Sequence, residues 1–181
     1  MQLDPAIDLL LRCAFFALFA SACVHKLVGL TAFQGTVAAY LRGIAPAGGV
    51  LVSGAALLAL VGEVLAAAAC VLPVGHGLRA GLIAGMLLLY AAAMGLNLVR
   101  GNTLLDCGCH WGKLRQPVGP ALAWRNLGMA LVALLLAAPV VERPVQALDL
   151  ATVAAGTVVA VLLYAIFNHA AASAAQVPGK G

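Results

Sequence analysis

The sequence predicts an all-α polytopic membrane protein, a helical bundle with a four-helix core and a fifth, C-terminal transmembrane helix, and three observations predict it. Of 181 residues, 64% are hydrophobic and only 9% are charged, with a mean hydropathy of +1.08; soluble domains carry about half apolar and about a quarter charged residues. Five apolar runs are each long enough to cross about 30 Å of hydrocarbon. Glycine, proline and charge fall between those runs, where turns and interfacial anchors belong.

The first run, about residues 7–30, is preceded by Asp4 and contains Asp8 where a signal peptide would have a basic region, so it reads as a retained span. Ala20-Ser21-Ala22-Cys23 faintly resembles a lipoprotein cleavage pattern, but apolar residues continue beyond His25 and Lys26 where a polar tether would be needed. A loop over 31–49 with Arg42, Pro46 and Gly48-Gly49 leads to the second run, 50–72, whose Ala66 to Ala69 offer a smooth packing surface. The third run, 78–99, carries Gly81 and Gly85 at small-xxx-small spacing, which predicts a close helix contact there. Asn97, Arg100 and Asn102 read as its cap or interfacial anchor. The fourth and fifth runs, 121–141 and 150–167, are separated by Glu142-Arg143-Pro144, a break suited to a helix hairpin. Residues 1–168 thus form one transmembrane domain, and the Ala-, Ser- and Gly-rich stretch 169–181 reads as a disordered tail. Trp111, Trp124 and Tyr40 fit an aromatic belt.

Five spans put the two termini on opposite sides and the 31–49 and α-to-α connection near residue 110 on one side. Lys26, Arg42, Arg100, Lys113, Arg115, Arg125 and Lys180 fall on that side, against Arg12, Arg79 and Arg143 opposite, a ratio of seven to three. By the positive-inside rule alone that side is cytoplasmic. The net charge of +4 suits anionic headgroups, and its scattered distribution excludes a nucleic-acid partner.

Chemistry concentrates in Asp106-Cys107-Gly108-Cys109-His110-Trp111-Gly112, a polar loop that holds two thiols in an apolar chain. Glycine between two cysteines frees the backbone to bring them to disulfide spacing, and the small strained ring would be easily reduced. Lys113 and Arg115 favour a thiolate there and Asp106 opposes it. A permanent small-loop disulfide or two idle thiols is the bland alternative. Zinc or copper is the competing chemistry, with Cys107, Cys109, His110 and Asp106 as donors, but no second cluster completes a closed shell and no Cys-x-x-Cys-His haem site occurs. No metal and no cofactor are therefore expected.

Cys13, Cys23 and Cys70 lie in apolar runs, where cysteine behaves as a small hydrophobe, and a transmembrane relay of thiols is the weaker reading. Glu63 stands about 13 residues into the second run, hence about 20 Å deep, where an acid needs a partner or a proton. Lys26 is shallower and is expected to snorkel to the interface, with His25 similarly placed. Whether Lys26 meets Glu63 depends on helix tilts that a sequence does not give.

Two stretches carry a family resemblance: Leu11-Arg12 through Ser21 with His25-Lys26-Leu27, Phe33, Val37 and Tyr40, then Asp106-Cys107-Gly108-Cys109 followed by Gly112. The chain resembles the methylamine utilisation protein MauE family, DoxX-like multi-pass membrane proteins, over roughly residues 7–138, with Glu63 also in pattern. His110-Trp111 lengthens the loop by a residue relative to that pattern. The resemblance implies an inner-membrane protein acting in processing, transport or maturation of the methylamine dehydrogenase small (beta) subunit. It further implies a membrane-anchored, thioredoxin-like partner of the MauD kind. That context places the cysteine loop in the periplasm, against the charge count.

The leading expectation is thus thiol–disulfide exchange through Cys107 and Cys109, supported by Glu63, Lys26, His25 and Asp106. A non-catalytic assembly factor or scaffold for the same partner is the alternative. A small transporter built on Glu63 and Lys26 lacks the internal repeat such proteins often show.

Overall fold

The computed structural model describes residues 2–42, 48–102 and 119–176, and every described element is helical apart from one isolated β-bridge. The helices are α1 (Pro5–Val28), α2 (Leu30–Leu41), α3 (Gly49–Val71), α4 (His76–Val99), α5 (Pro120–Leu134), which tightens into a 3₁₀ turn over Leu135–Ala137, and α6 (Ala147–Gln176). Five of them, α1, α3, α4, α5 with its turn, and α6, are long and apolar enough to cross a membrane. The protein is a multi-pass membrane bundle.

Each span exposes most of its surface, as lipid contact requires, and buries one helical stripe. On α1 the stripe is Asp8, Phe15, Phe19, Cys23 and Lys26. On α5 it is Leu122, Asn126, Ala130 and Ala133. These i, i+3/i+4 spacings put the side chains on one face. Phe15 and Phe19 meet Ala66, Ala67 and Cys70 of α3, Ile83, Ala84 and Leu87 of α4, and Ala130 and Ala133 of α5 in one core.

The sequence differs from the structure at several boundaries. Residues 30–41, expected in a loop, form α2 directly after Gly29, and Phe33 is buried while Tyr40 packs near Met94 and Leu122 instead of standing in an interfacial belt. Phe33, Val37 and Tyr40 have the 4- and 3-residue spacing of a helix face, which accounts for the element. Gly81 and Gly85 are exposed, with no atom near an added Cβ. The packed face of α4 runs one residue round, through Ala80, Ile83, Ala84 and Leu87. Close approach occurs instead at Gly62, where a Cβ would stand 2.5 Å from Met86 Sδ, and at Gly156 of α6 against Leu10 of α1. Ala66 and Ala69 are buried, in keeping with the smooth surface expected of α3.

The fourth span stops before Pro139, because a residue preceding proline is pushed out of the α region; Ala138 has ψ 144°. The last helix begins at Ala147 and continues through Gln176, past the point where the sequence reads a tail. Alanine is the best helix former, and Asn168 and Ala172 are buried against the bundle. Residues 177–181 lie outside the described part.

The end of the bundle that carries the N-terminus is tied by polar contacts. Leu3 N–H donates to Pro139 O (2.8 Å) and Val141 N–H to Leu3 O (2.9 Å), which forms the isolated bridge. Arg143 forks between Asp4 (2.8 Å) and Asp149 (2.7 Å). Asp149 also accepts from Gln146 N–H at 2.8 Å, closing the first turn of α6. One turn deeper, Arg12 Nε donates to Cys70 O (2.6 Å) and Arg79 Nε to Ala69 O (2.9 Å). Both guanidinium groups flank Asp8, at 3.5 and 3.9 Å.

Candidate functional site

Deeper in the bundle, the chain buries a second polar cluster. Lys26 on α1 and Glu63 on α3 are 2% and 1% exposed and form an ion pair through Lys26 Nζ and Glu63 Oε1. Lys26 Nζ also donates to Tyr90 Oη of α4 at 2.7 Å, and Tyr90 Oη donates to the same Glu63 Oε1 at 2.6 Å. Three helices thus meet in a closed triangle of ammonium, phenol and carboxylate. The ammonium lies 5.0 Å from the Phe33 ring centroid and 4.8 Å from that of Tyr90, a cation–π cage that replaces part of its hydration.

Snorkelling is therefore corrected for Lys26, and the reason lies in helix direction. Side chains lean toward the N-terminus of their own helix. Near the C-terminal end of α1 that lean carries Lys26 inward, away from the near interface. α3 runs the other way, so Glu63 leans outward to meet it. Charges in such a setting need close partners, since an unpaired one is expensive.

Cys23, one turn before Lys26 on the same stripe, places its buried thiol 3.8 Å from Glu63 Oε2. Cys70 lies toward the other end, donating to Ala66 O, and Cys13 is half-buried; the three described cysteines are free. His25 faces away from the stripe and is half-buried, its backbone carbonyl accepting from Gly29 N–H at 3.0 Å. The structure does not bring it into the triangle.

Beside the triangle, Arg125 of α5 lies 4.7 Å over the Tyr164 ring of α6 and donates to Asn126 (3.3 Å) and to Asn168. A narrow cleft of about 20 Å³ joins the two groups, lined among others by Glu63, Tyr90, Arg125, Asn126 and Tyr164. Sequence reading counted Arg125 only as a topological charge and did not single out Tyr90 or Asn126. Their signal was positional: Tyr90 falls on the α4 stripe with Leu87, Met94 and Asn97, and Asn126 on the α5 stripe.

Asp106, Cys107 and Cys109, with His110 and Trp111, lie outside the described residues. The ends of their segment are described. α4 closes in a Schellman motif: Asn102 N–H donates to Asn97 O (2.9 Å), Gly101 N–H to Leu98 O (3.0 Å), and Gly101 has φ +75°. Asn97, 1% exposed, accepts from Asn102 Nδ2 at 3.2 Å, so these asparagines do cap the helix. α5 starts at Gly119-Pro120 with proline in its first turn. The cysteine segment therefore joins α4 to α5 on the membrane side nearer the Lys26–Glu63 pair. Trp124, 70% exposed on α5, fits a position facing lipid.

Fold and site together define a five-span helical membrane protein with a buried acid–base cluster close to the side that bears a Cys-x-Cys connection. The sequence pattern of the family described as methylamine utilisation protein MauE matches residues 4–139. The chain belongs to that family. It is 32% identical to the methylamine utilization protein MauE of Paracoccus versutus over 163 residues, 89% of this chain and 86% of that protein. Identity to the MauE protein of Methylorubrum extorquens is 33% over 134 residues, 74% and 70% of the two chains. That of Paracoccus denitrificans shares 46% over 54 residues, 30% of this chain and 29% of its own. No solved structure matches.

Proposed function

We propose that this chain is an inner-membrane component of methylamine utilisation that assists maturation of the methylamine dehydrogenase small subunit by thiol–disulfide exchange through Cys107 and Cys109. The observation that carries the reading is the Cys107-Gly108-Cys109 pair in the connection between two spans of a chain of this family. The exchange partner is a thioredoxin-like, membrane-anchored protein of the MauD kind. A thiolate of one protein attacks a sulfur of the other's disulfide, a mixed disulfide forms, and the second thiol resolves it. One disulfide breaks and one forms, so two electrons pass between the proteins without an outside oxidant. Which protein is oxidised at the start sets the direction.

The cysteine side is periplasmic in this reading, where disulfides persist. The charge excess on that side, seven Lys and Arg against three, runs against this placement, and pairing does not remove it: Lys26 is paired with Glu63, but Arg12 and Arg79 are paired with Asp8 and Arg143 with Asp4 and Asp149. The placement rests on the family context. Glu63 and Lys26 support the reading by tying α1 and α3, through Tyr90, to α4, the helix that leads into the connection.

A membrane-impermeant maleimide applied to spheroplasts, with and without mild reductant, tests side and redox state together. Labelling of Cys107 and Cys109 only after reduction is the expected result. Free thiols reached only after the membrane is opened would place the segment in the cytoplasm and sink the proposal. A Cys107→Ser/Cys109→Ser double variant separates exchange from scaffolding: client maturation is expected to stop, whereas retained maturation assigns the chain a scaffold role.

A further inference from the structure

The triangle and the neighbouring Arg125 group each leave one polar atom poorly served. Glu63 Oε1 accepts from both Lys26 and Tyr90, while Oε2 has only the Cys23 thiol at 3.8 Å, a long and weak contact. Arg125 Nε is buried with no hydrogen-bond partner. A buried donor or acceptor without a partner costs about 1–3 kcal/mol, and native structures meet that cost with ordered water. Glu63 and Arg125 both line the same cleft, with Asn126, Tyr90 and Tyr164. Its volume of about 20 Å³ exceeds the roughly 10–15 Å³ that one water needs, and the lining supplies the two to four polar partners such a water requires.

We propose that this cleft is a hydrated proton site: one water, held by Arg125 and Asn126, relays protons between the cysteine side of the membrane and Glu63. Arg125 sits five residues after Pro120, about 8 Å along α5 from its start on the cysteine side. A proton arriving through the water forms an O–H bond at Oε2, converting the carboxylate to a carboxylic acid; Lys26 keeps its ammonium and Oε1 its two donors. The reverse step returns the proton to the water. The charged and titratable groups facing Glu63 are Cys23 and Lys26 from α1, Tyr90 from α4, and Arg125 and Tyr164 across the cleft from α5 and α6; α2 contributes the Phe33 ring. Protonation of Glu63 raises the positive charge of the cluster by one. The inference stands on the described cluster alone and is independent of thiol exchange.

Infrared spectroscopy of the full chain in lipid nanodiscs tests it. On acidification, a carboxylic-acid C=O band is expected that disappears in Glu63→Gln and persists in the Cys107→Ser/Cys109→Ser variant. After transfer to D₂O that band shifts at a rate set by water access, and Asn126→Leu, which fills the cleft, is expected to slow the shift at least tenfold. Met129→Ala, which widens the cleft and leaves both water-holding residues in place, is expected to leave the rate equal or faster and serves if the leucine variant does not fold. No Glu63-dependent band at any pH, or a slower shift in Met129→Ala, overturns the proposal. So does an unchanged rate in a folded Asn126→Leu.

Discussion

At the scale of single residues, the Lys26–Glu63–Tyr90 triangle makes the sharpest prediction. Glu63→Gln leaves the Lys26 ammonium buried with a neutral partner, and Lys26→Met leaves the carboxylate with only the Tyr90 phenol and the Cys23 thiol, both neutral donors. Removing one member of a buried pair costs about 3–5 kcal/mol, so each single variant is expected to unfold in markedly less denaturing detergent. The double variant Lys26→Met/Glu63→Gln removes both charges and is expected to recover most of the loss. Equal, additive losses in the cycle would show that the pair is not coupled. The presence of Glu63 and Lys26 in apolar runs was legible in the sequence, because ionisable residues in such runs need a reason. Their meeting was not, since it depends on the opposite lean of side chains on antiparallel helices. Nothing in a one-dimensional pattern distinguishes a lysine two residues from a helix end that points outward from one that points in.

Helices form the next scale. Gly101 closes α4 with φ +75°, a conformation that any other L-residue adopts with strain. Gly101→Ala is expected to cost about 1 kcal/mol, read as a lowered Tm, and to misdirect the chain entering the cysteine connection, so maleimide labelling of Cys107 and Cys109 should change in rate. An unchanged Tm would mean that the cap contributes nothing. Gly156 meets Leu10 where α6 crosses α1. Gly156→Leu is expected to detach α6 locally, measured as faster proteolysis near residue 147, and a Leu10→Ala second change should restore packing by making room. All five spans could be read from hydropathy alone, yet the contact face of α4 could not. The glycines at small-xxx-small spacing offered a plausible face, but Ile83, Ala84 and Leu87 on the adjoining strip buried the larger apolar area. Likewise α2 hid in an expected loop because its length is below that of a span.

The whole molecule is closed by charge at the end opposite the triangle. Hydrogen bonds from Arg143 and then from Ala6 N–H hold the Asp4 carboxyl below its ordinary value of 3.8, and the paired carboxylates, Asp149 first, hold Arg143 above its own. A lowered acid pKa contributes stability that is present above the ordinary value and lost as pH falls through the folded one. Wild type and Asp4→Asn are therefore expected to differ in resistance to unfolding at neutral pH and to converge only as the pH falls below 3.8 and through the lowered folded value. A difference that persists in acid would mean that Asp4 acts by shape alone. The exposed setting keeps the effect modest and sensitive to salt. Of the overall architecture, the sequence already implied antiparallel spans with termini on opposite sides, because each short connection forces the next span to return. The polar fastening was not legible, since Asp4 and Arg143 read as separate flanking charges and nothing in the sequence marked Asp149 as their partner.

That fastening also sets an order of events during synthesis. Arg143 follows Asp4 by 139 positions, and at about 5–20 residues per second the ribosome needs roughly 7–28 s to deliver it. Until then the first span has no lock at its outer end, and the Leu3 backbone has no strand to pair with. The contacts of Asp8 and Arg12 with Arg79 and Cys70 can form once residue 79 has been made, but the residues before α1 are fastened only after the fourth span is complete, so a nascent chain halted before residue 139 keeps a loose N-terminal end.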